Sequence, residues 1–167
     1  MPDAAIRHLP PGNARIRPIF LPLSAGDPMQ GTILAFDYGE KRIGVAVGET
    51  ALRMAHPLAT IDASGNEARF AAIAALIAEW RPAALVVGLP VHMDGTEHVM
   101  TERARKFARR LQSRFALAVE LVDERLTTQD AALSLREAGV DARSARPIRD
   151  RIAAQRILQD FFERAPR

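Results

Sequence analysis

The chain of 167 residues contains no cysteine. Disulfides and thiolate metal sites are therefore excluded, and the composition suits a reducing compartment. Histidine is scarce, with four copies, which argues against zinc. No apolar run approaches the roughly 18 residues of a membrane span, so no membrane partner is expected. The N-terminus lacks the apolar core segment of a signal peptide, and a cytoplasmic location is the expectation. Lysine is nearly missing too, since 21 of the 23 basic residues are arginine. Arginine stays charged and contacts phosphate bidentately, so nucleic acid is a compatible partner even at a net charge of only +3. What is present in quantity is apolar: 48 % of residues, enough for one domain with a real core.

Six of the eleven prolines fall within residues 1–30. Pro10, Pro11, Pro18, Pro22 and Pro28 punctuate that stretch too often for regular structure. A flexible arm over 1–30 and a single folded domain over 31–167 are expected. Within the domain, Ile33 to Phe36 reads as a buried strand, and Asp37 follows at once. Tyr38-Gly39-Glu40-Lys41 reads as a tight turn. Ile43 to Val47 makes a second strand with small Gly and Ala between the large residues. Ala55 to Ile61 reads as a third strand, at an edge because of Pro57. Ser64-Gly65-Asn66-Glu67 has the form of a capping box opening a helix, with Phe70, Ile73, Ile77 and Trp80 on its buried face. Ala84 to Leu89 is a continuous apolar run, as expected of a parallel strand covered on both faces. After a loop with Asp94-Gly95, Thr96 is expected to cap a helix over about 97–115. Its apolar stripe runs Met100, Ala104, Phe107, Ala108, Leu111, Phe115. Arg103, Lys106, Arg110 and Arg114 form a separate ridge without an acid. A strand follows at Leu117–Val122, then a helix from Thr127 or Thr128 to about Ala138. A loop over 140–149 precedes a last helix starting near Asp150. The order predicts an α/β fold: a five-stranded mixed sheet with helices on both faces.

Parallel strands joined by helical crossovers bring their C-terminal ends to one edge of the sheet, where open α/β sheets place their sites. Asp37 ends the first strand, and Asp123 and Glu124 end the last. Asp94 lies in the loop after the strand between them. Asp150 falls on the buried stripe of the last helix, which is costly for an acid unless something pairs it. Converging carboxylates repel, and oxygen-only ligands suit Mg²⁺ or Mn²⁺. Such a cluster among arginine-rich segments suits in-line phosphodiester hydrolysis. Lys41 and Arg42 in the turn, Arg125, and Arg143, Arg146 and Arg149 before Asp150 are the candidates for holding nucleic-acid phosphates.

FDYGEKRIGVAVGE, VVGLPVHMDGTE, VDERLTT and the late Asp150 before Ala153-Ala154 together resemble the YqgF/RuvX family of RNase H-like nucleases, relatives of the Holliday junction resolvase RuvC. The match runs from about Thr32 to Phe162. The resemblance implies a ribonuclease H-like fold and a hydrolase acting in 5′-end maturation of pre-16S rRNA during ribosome biogenesis, with ribosomal precursor particles as partners. It implies Asp37, Glu124 and Asp150 as catalytic metal-binding acids, with Asp123 beside them. RuvC-type enzymes carry an acid at the end of the fourth strand, where this chain has Gly88-Leu89-Pro90, and Glu124 is expected to take that place. Junction resolution on branched DNA and a non-catalytic RNA-binding assembly role are the alternatives. Actin-like and sugar-kinase ATPases share a similar hairpin but need two domains, and no second phosphate loop is visible.

Overall fold

In a computed structural model, which describes residues 29–124 and 145–165, the run beginning at Ile33 becomes β1 (Thr32–Tyr38). It is the central strand of a five-stranded sheet ordered β3-β2-β1-β4-β5. The others are β2 (Ile43–Glu49), β3 (Met54–Ile61), β4 (Ala84–Leu89) and β5 (Ala118–Asp123). β1 to β3 form an antiparallel meander, while β1, β4 and β5 run parallel. Among the described residues three helices cover the sheet: α1 (Asn66–Trp80), α2 (Val99–Phe115) and α3 (Ala145–Arg164).

The pleat sends alternate residues of β1 to opposite faces. Leu34 and Phe36 join Val45, Val47, Leu85 and Val87 beneath Phe70 and Ile73 of α1 and Phe107 and Leu111 of α2. Ile33 and Ala35 join Ala46, Val86 and Val122 beneath Ala154, Ile157, Leu158 and Phe162 of α3. Both faces of β1 are thus covered, which is why it reads as an unbroken apolar run rather than an alternating one. Facing α3, β2 presents Gly44, Ala46 and Gly48. A Cβ on Gly48 would come within 2.7 Å of the Phe162 ring, so the missing side chains let the helix lie close.

The edge strand β3 carries Pro57 next to a register shift, the two places where a strand tolerates proline. At the start of β3 its outer backbone groups are met by α3. Gln155 and Gln159, one turn apart on α3, donate to Ala55 O at 2.9 Å and Arg53 O at 3.2 Å, and the Gln159 Oε1 accepts from Ala55 N at 3.1 Å. These contacts protect an edge that could otherwise pair with another chain.

Three local expectations need correction. The Ser64 capping box does not form: Gly65 occupies the N-cap at φ 86°, no side chain caps the helix, and α1 starts at Asn66. Thr96 does not cap α2, because its amide and hydroxyl both donate to Asp94 Oδ1. The cap is His98, reciprocally bonded with Thr101. The last helix is already formed at Ala145 rather than Asp150. Arg146-Pro147 looked like loop, but proline costs little in a first turn, where its missing N–H has no acceptor. The Pro147 carbonyl is held by the Thr60 hydroxyl at 2.7 Å. The expected arm and the expected helix near 127–138 lie outside the described residues, apart from the end of the arm at Met29 and Gln30.

Candidate active site

Asp37 is the penultimate residue of β1, opposite Gly44 on β2. Strand alternation points its side chain the way of Ala35, toward α3. Glu124 follows β5 directly and shares its side with Val122. Its amide donates to Leu89 O at 3.3 Å, which carries the β4–β5 ladder one residue past the strand. α3 crosses this face and brings Asp150 to the same end of the sheet. Three acids from two strands and a helix therefore meet at the C-terminal ends of the parallel strands.

Two glycines make room for them. A Cβ on Gly44 would lie 1.9 Å from the Asp150 carbonyl oxygen, so α3 can reach β2 at Asp150 only because Gly44 has no side chain. A Cβ on Gly88 would lie 2.6 Å from Glu124 Oε2 and 2.4 Å from Ile157 Cδ1. The Glu124 carboxyl thus sits over the end of β4, where Gly88 leaves the volume open.

The pair formed by Asp37 and Glu124 shares a hydrogen bond. Burial, then the Asp37 charge and the bond to it, push Glu124 up to about 9 from 4.5. Burial, then the charge of Asp150, raise Asp37 to about 6 from 3.8, opposed by the bond from Glu124. Both effects describe one proton held by Glu124 and offered to the Asp37 carboxylate, the usual outcome when like charges share a desolvated site. Asp150 accepts from Arg42 Nε at 2.7 Å, the partner that an acid on a buried stripe requires.

The RuvX family, described as Holliday junction resolvase, matches residues 31–164. This chain belongs to the RuvX family. It is 62 % identical over 133 residues to a protein of Dechloromonas aromatica described as "Putative pre-16S rRNA nuclease", covering 80 % of this chain and 91 % of that one. A protein of Methylobacillus flagellatus with the same description is 55 % identical over 134 residues, covering 80 % and 92 %. Among solved structures, Thermus thermophilus RuvC in complex with a Holliday junction substrate superposes with a TM-score of 0.50 at 16 % identity, over 80 % of this chain and 94 % of that one. The fold of this RuvX chain is accordingly the RuvC-like ribonuclease H fold, as the motifs implied.

The remaining candidates in this RuvX chain are placed unevenly. Asp123 pairs in register with Leu89, so alternation turns it away from the α3 face. Its charge adds to the causes that raise Glu124. Lys41 is exposed at the hairpin tip, and Arg42 is spent on Asp150. Arg146 is exposed and Arg149 half-buried, both in the opening turns of α3 rather than in a loop. Arg125 and Arg143 lie outside the described residues. Asp94 is exposed and closes its own turn with Thr96, whose hydrogen bonds lower its pKa, so it does not join the cluster.

Sequence reasoning missed Arg69. It stands four residues before Ile73 and eight before Ile77, on the face that α1 buries, and is only 7 % exposed. Its guanidinium donates to Ala63 O and Gly39 O, both at 3.1 Å, and to Glu40 O, which pins the turn after Asp37. It also missed the vacated volumes at Gly44 and Gly88. The small-residue spacing of β2 was the available signal for the first.

The donor set is suited to a hard cation: all its atoms are carboxylate oxygens, and the like-charge repulsion that helps to raise Asp37 and Glu124 is what a cation would relieve. Asp150 is committed to Arg42, and among the described residues no three acids or histidines are yet close enough together to hold a metal ion. The raised pKa values have a measurable consequence. Asp37 and Glu124 are both harder to ionise folded than unfolded, so the folded chain binds more protons between about pH 4 and pH 9. The stability that the protonated pair allows is complete below this window and is lost as pH rises through it. With divalent ions chelated, the melting temperature of wild type relative to Glu124→Gln should fall steadily from pH 5 to 9. Parallel curves for the two proteins would show that Glu124 ionises normally.

Proposed function

We propose that this RuvX-family chain is a Mg²⁺- or Mn²⁺-dependent endonuclease that hydrolyses phosphodiester bonds in 5′-end processing of pre-16S rRNA, acting in the cytoplasm on ribosomal precursor particles. The observation that carries this is the gathering of Asp37, Glu124 and Asp150 at one end of the sheet, where Gly44 and Gly88 leave room for the helix and for the Glu124 carboxyl. The description of the close relatives as pre-16S rRNA nucleases supports the substrate.

Asp37, Glu124 and Asp150 would hold the cation, which when bound supplies an activated water and charge neutralisation at the leaving oxygen. The residues themselves have separable tasks. Glu124 must give up its proton before it can act as a ligand. Burial keeps Asp37 in a low-dielectric setting, where its charge acts at full strength. Arg42 holds Asp150 at the site edge and offers a guanidinium that a phosphate could claim in its place. Exposed Lys41, next to Arg42, and exposed Arg146, four residues before Asp150 on α3, would serve as further phosphate contacts.

Purified protein incubated with a 16S precursor transcript should cleave near the mature 5′ end with Mg²⁺ or Mn²⁺ and not with chelator. Depletion in cells should lengthen the 5′ ends of 16S precursors. Binding of the transcript without metal-dependent cleavage would favour an assembly factor. The family description and the RuvC fold support a second activity, resolution of four-way DNA junctions. A synthetic junction cut into paired nicked duplexes would establish it.

A further inference from the structure

The cationic ridge of α2 is not a uniformly solvated face. Arg103 is engaged by Glu40 of the hairpin turn, and Arg114 by Glu67 of α1 at 3.2 Å. Lys106 and Arg110 lie between them without an acidic partner among the described residues. Both line a cavity of about 540 Å³ bounded by α1, α2 and the β1–β2 hairpin. Its lining is more polar than apolar: Ile43, Phe70 and Phe107 form a nearly buried floor, and the half-buried Tyr38, its ring 4.9 Å from that of Phe107, is the aromatic side chain left partly open there. These residues belong to the sheet face opposite α3, so the cavity is separate from the acid cluster.

We propose that this cavity holds one nucleotide of a single-stranded RNA substrate, its phosphate on Lys106 and Arg110 and its base beside the Tyr38 ring. The volume falls within the range of about 300–1,000 Å³ usual for small-ligand pockets. Cations without an acidic partner beside a partly exposed aromatic ring are the combination that binds single strands. Glu40, the acid among the described lining residues, is already engaged by Arg103 and does not offset the two free charges. Arg69 adds a fixed charge, its donors tied to backbone carbonyls. Asp37 and Tyr38 are adjacent in β1 and face opposite sides of the sheet. A strand passing over the hairpin tip, past exposed Lys41, therefore meets both sites. The choice of RNA rests on the nuclease function proposed above.

The test uses the full chain carrying Asp37→Asn, so that RNA survives, and follows binding of a short labelled single-stranded RNA across a salt series. Adding Lys106→Ala and Arg110→Ala should weaken binding about tenfold and flatten the plot of log affinity against log salt by about 1.4, at about 0.7 per lost contact. With Asp37 intact, the double change should leave hydrolysis of bis(p-nitrophenyl) phosphate at the wild-type rate, because so small a diester needs only the acids. A wild type inactive on that diester would count against the nuclease function, while the binding result would still judge the cavity. If the double alanine variant melts early, Lys106→Gln with Arg110→Gln replaces it. Unchanged affinity and salt slope overturn the proposal. So does adenosine monophosphate binding that the double change abolishes while RNA binding persists, which would make the cavity a free-nucleotide site.

Discussion

On the proposed function, Asp37→Asn is expected to lower RNA cleavage at least about a hundredfold, because an acid proposed to hold the cation loses its charge. Folding should hold or improve. The asparagine carbonyl can still accept the Glu124 proton, and the repulsion between Asp37 and Asp150 disappears. Removing such a charge from a functional site commonly raises stability at the expense of activity. Cleavage rates under matched Mg²⁺, read beside melting curves, check both halves. Wild-type cleavage by this variant would mean that the chemistry lies elsewhere or that a contaminant performs it.

The second large effect is expected from Gly44→Ala, a single methyl group. That carbon would stand 1.9 Å from the carbonyl oxygen of Asp150 and 2.3 Å from its carbonyl carbon. Backbone cannot rotate aside as a side chain can, so α3 has to move away from β2. The helix buries Ile157, Leu158 and Phe162 against the sheet, and forced repacking of this kind costs about 1–3 kcal/mol or more. The shift also carries Asp150 away from Asp37. Urea unfolding should show a lower midpoint at unchanged slope, and cleavage should fall with it. A variant that unfolds with the wild type would mean that α3 packs farther from β2 than described.

Much of the fold was legible because its signals are local or periodic. Ile33–Phe36 and Ala84–Leu89 are apolar without alternation, which only strands covered on both faces require, and both are internal parallel partners. Pro57 marked β3 as an edge. Phe107 and Leu111 repeat at helical spacing, and they lie buried on α2. The errors sit at helix starts. There, short hydrogen-bonding motifs compete, and a single neighbour decides between them, as Asp94 did by engaging Thr96.

The sequence by itself determined the family, the order of the elements, and which acids stand at strand ends, because motif strings and hydrophobic period are one-dimensional properties. It also showed that Asp150 needs a partner, since burying an unpaired acid is costly wherever the helix packs. Only the tertiary structure decided that the partner is Arg42, 108 residues away. Only there does Gly88 prove to be the space over which Glu124 lies. The coupling of Glu124 to Asp37, and the placing of Lys106 and Arg110 beside Tyr38, likewise depend on distances between segments far apart in the chain. Electrostatic coupling and steric exclusion both act over a few ångströms, and no spacing along one strand or helix can report which distant residue will fill them.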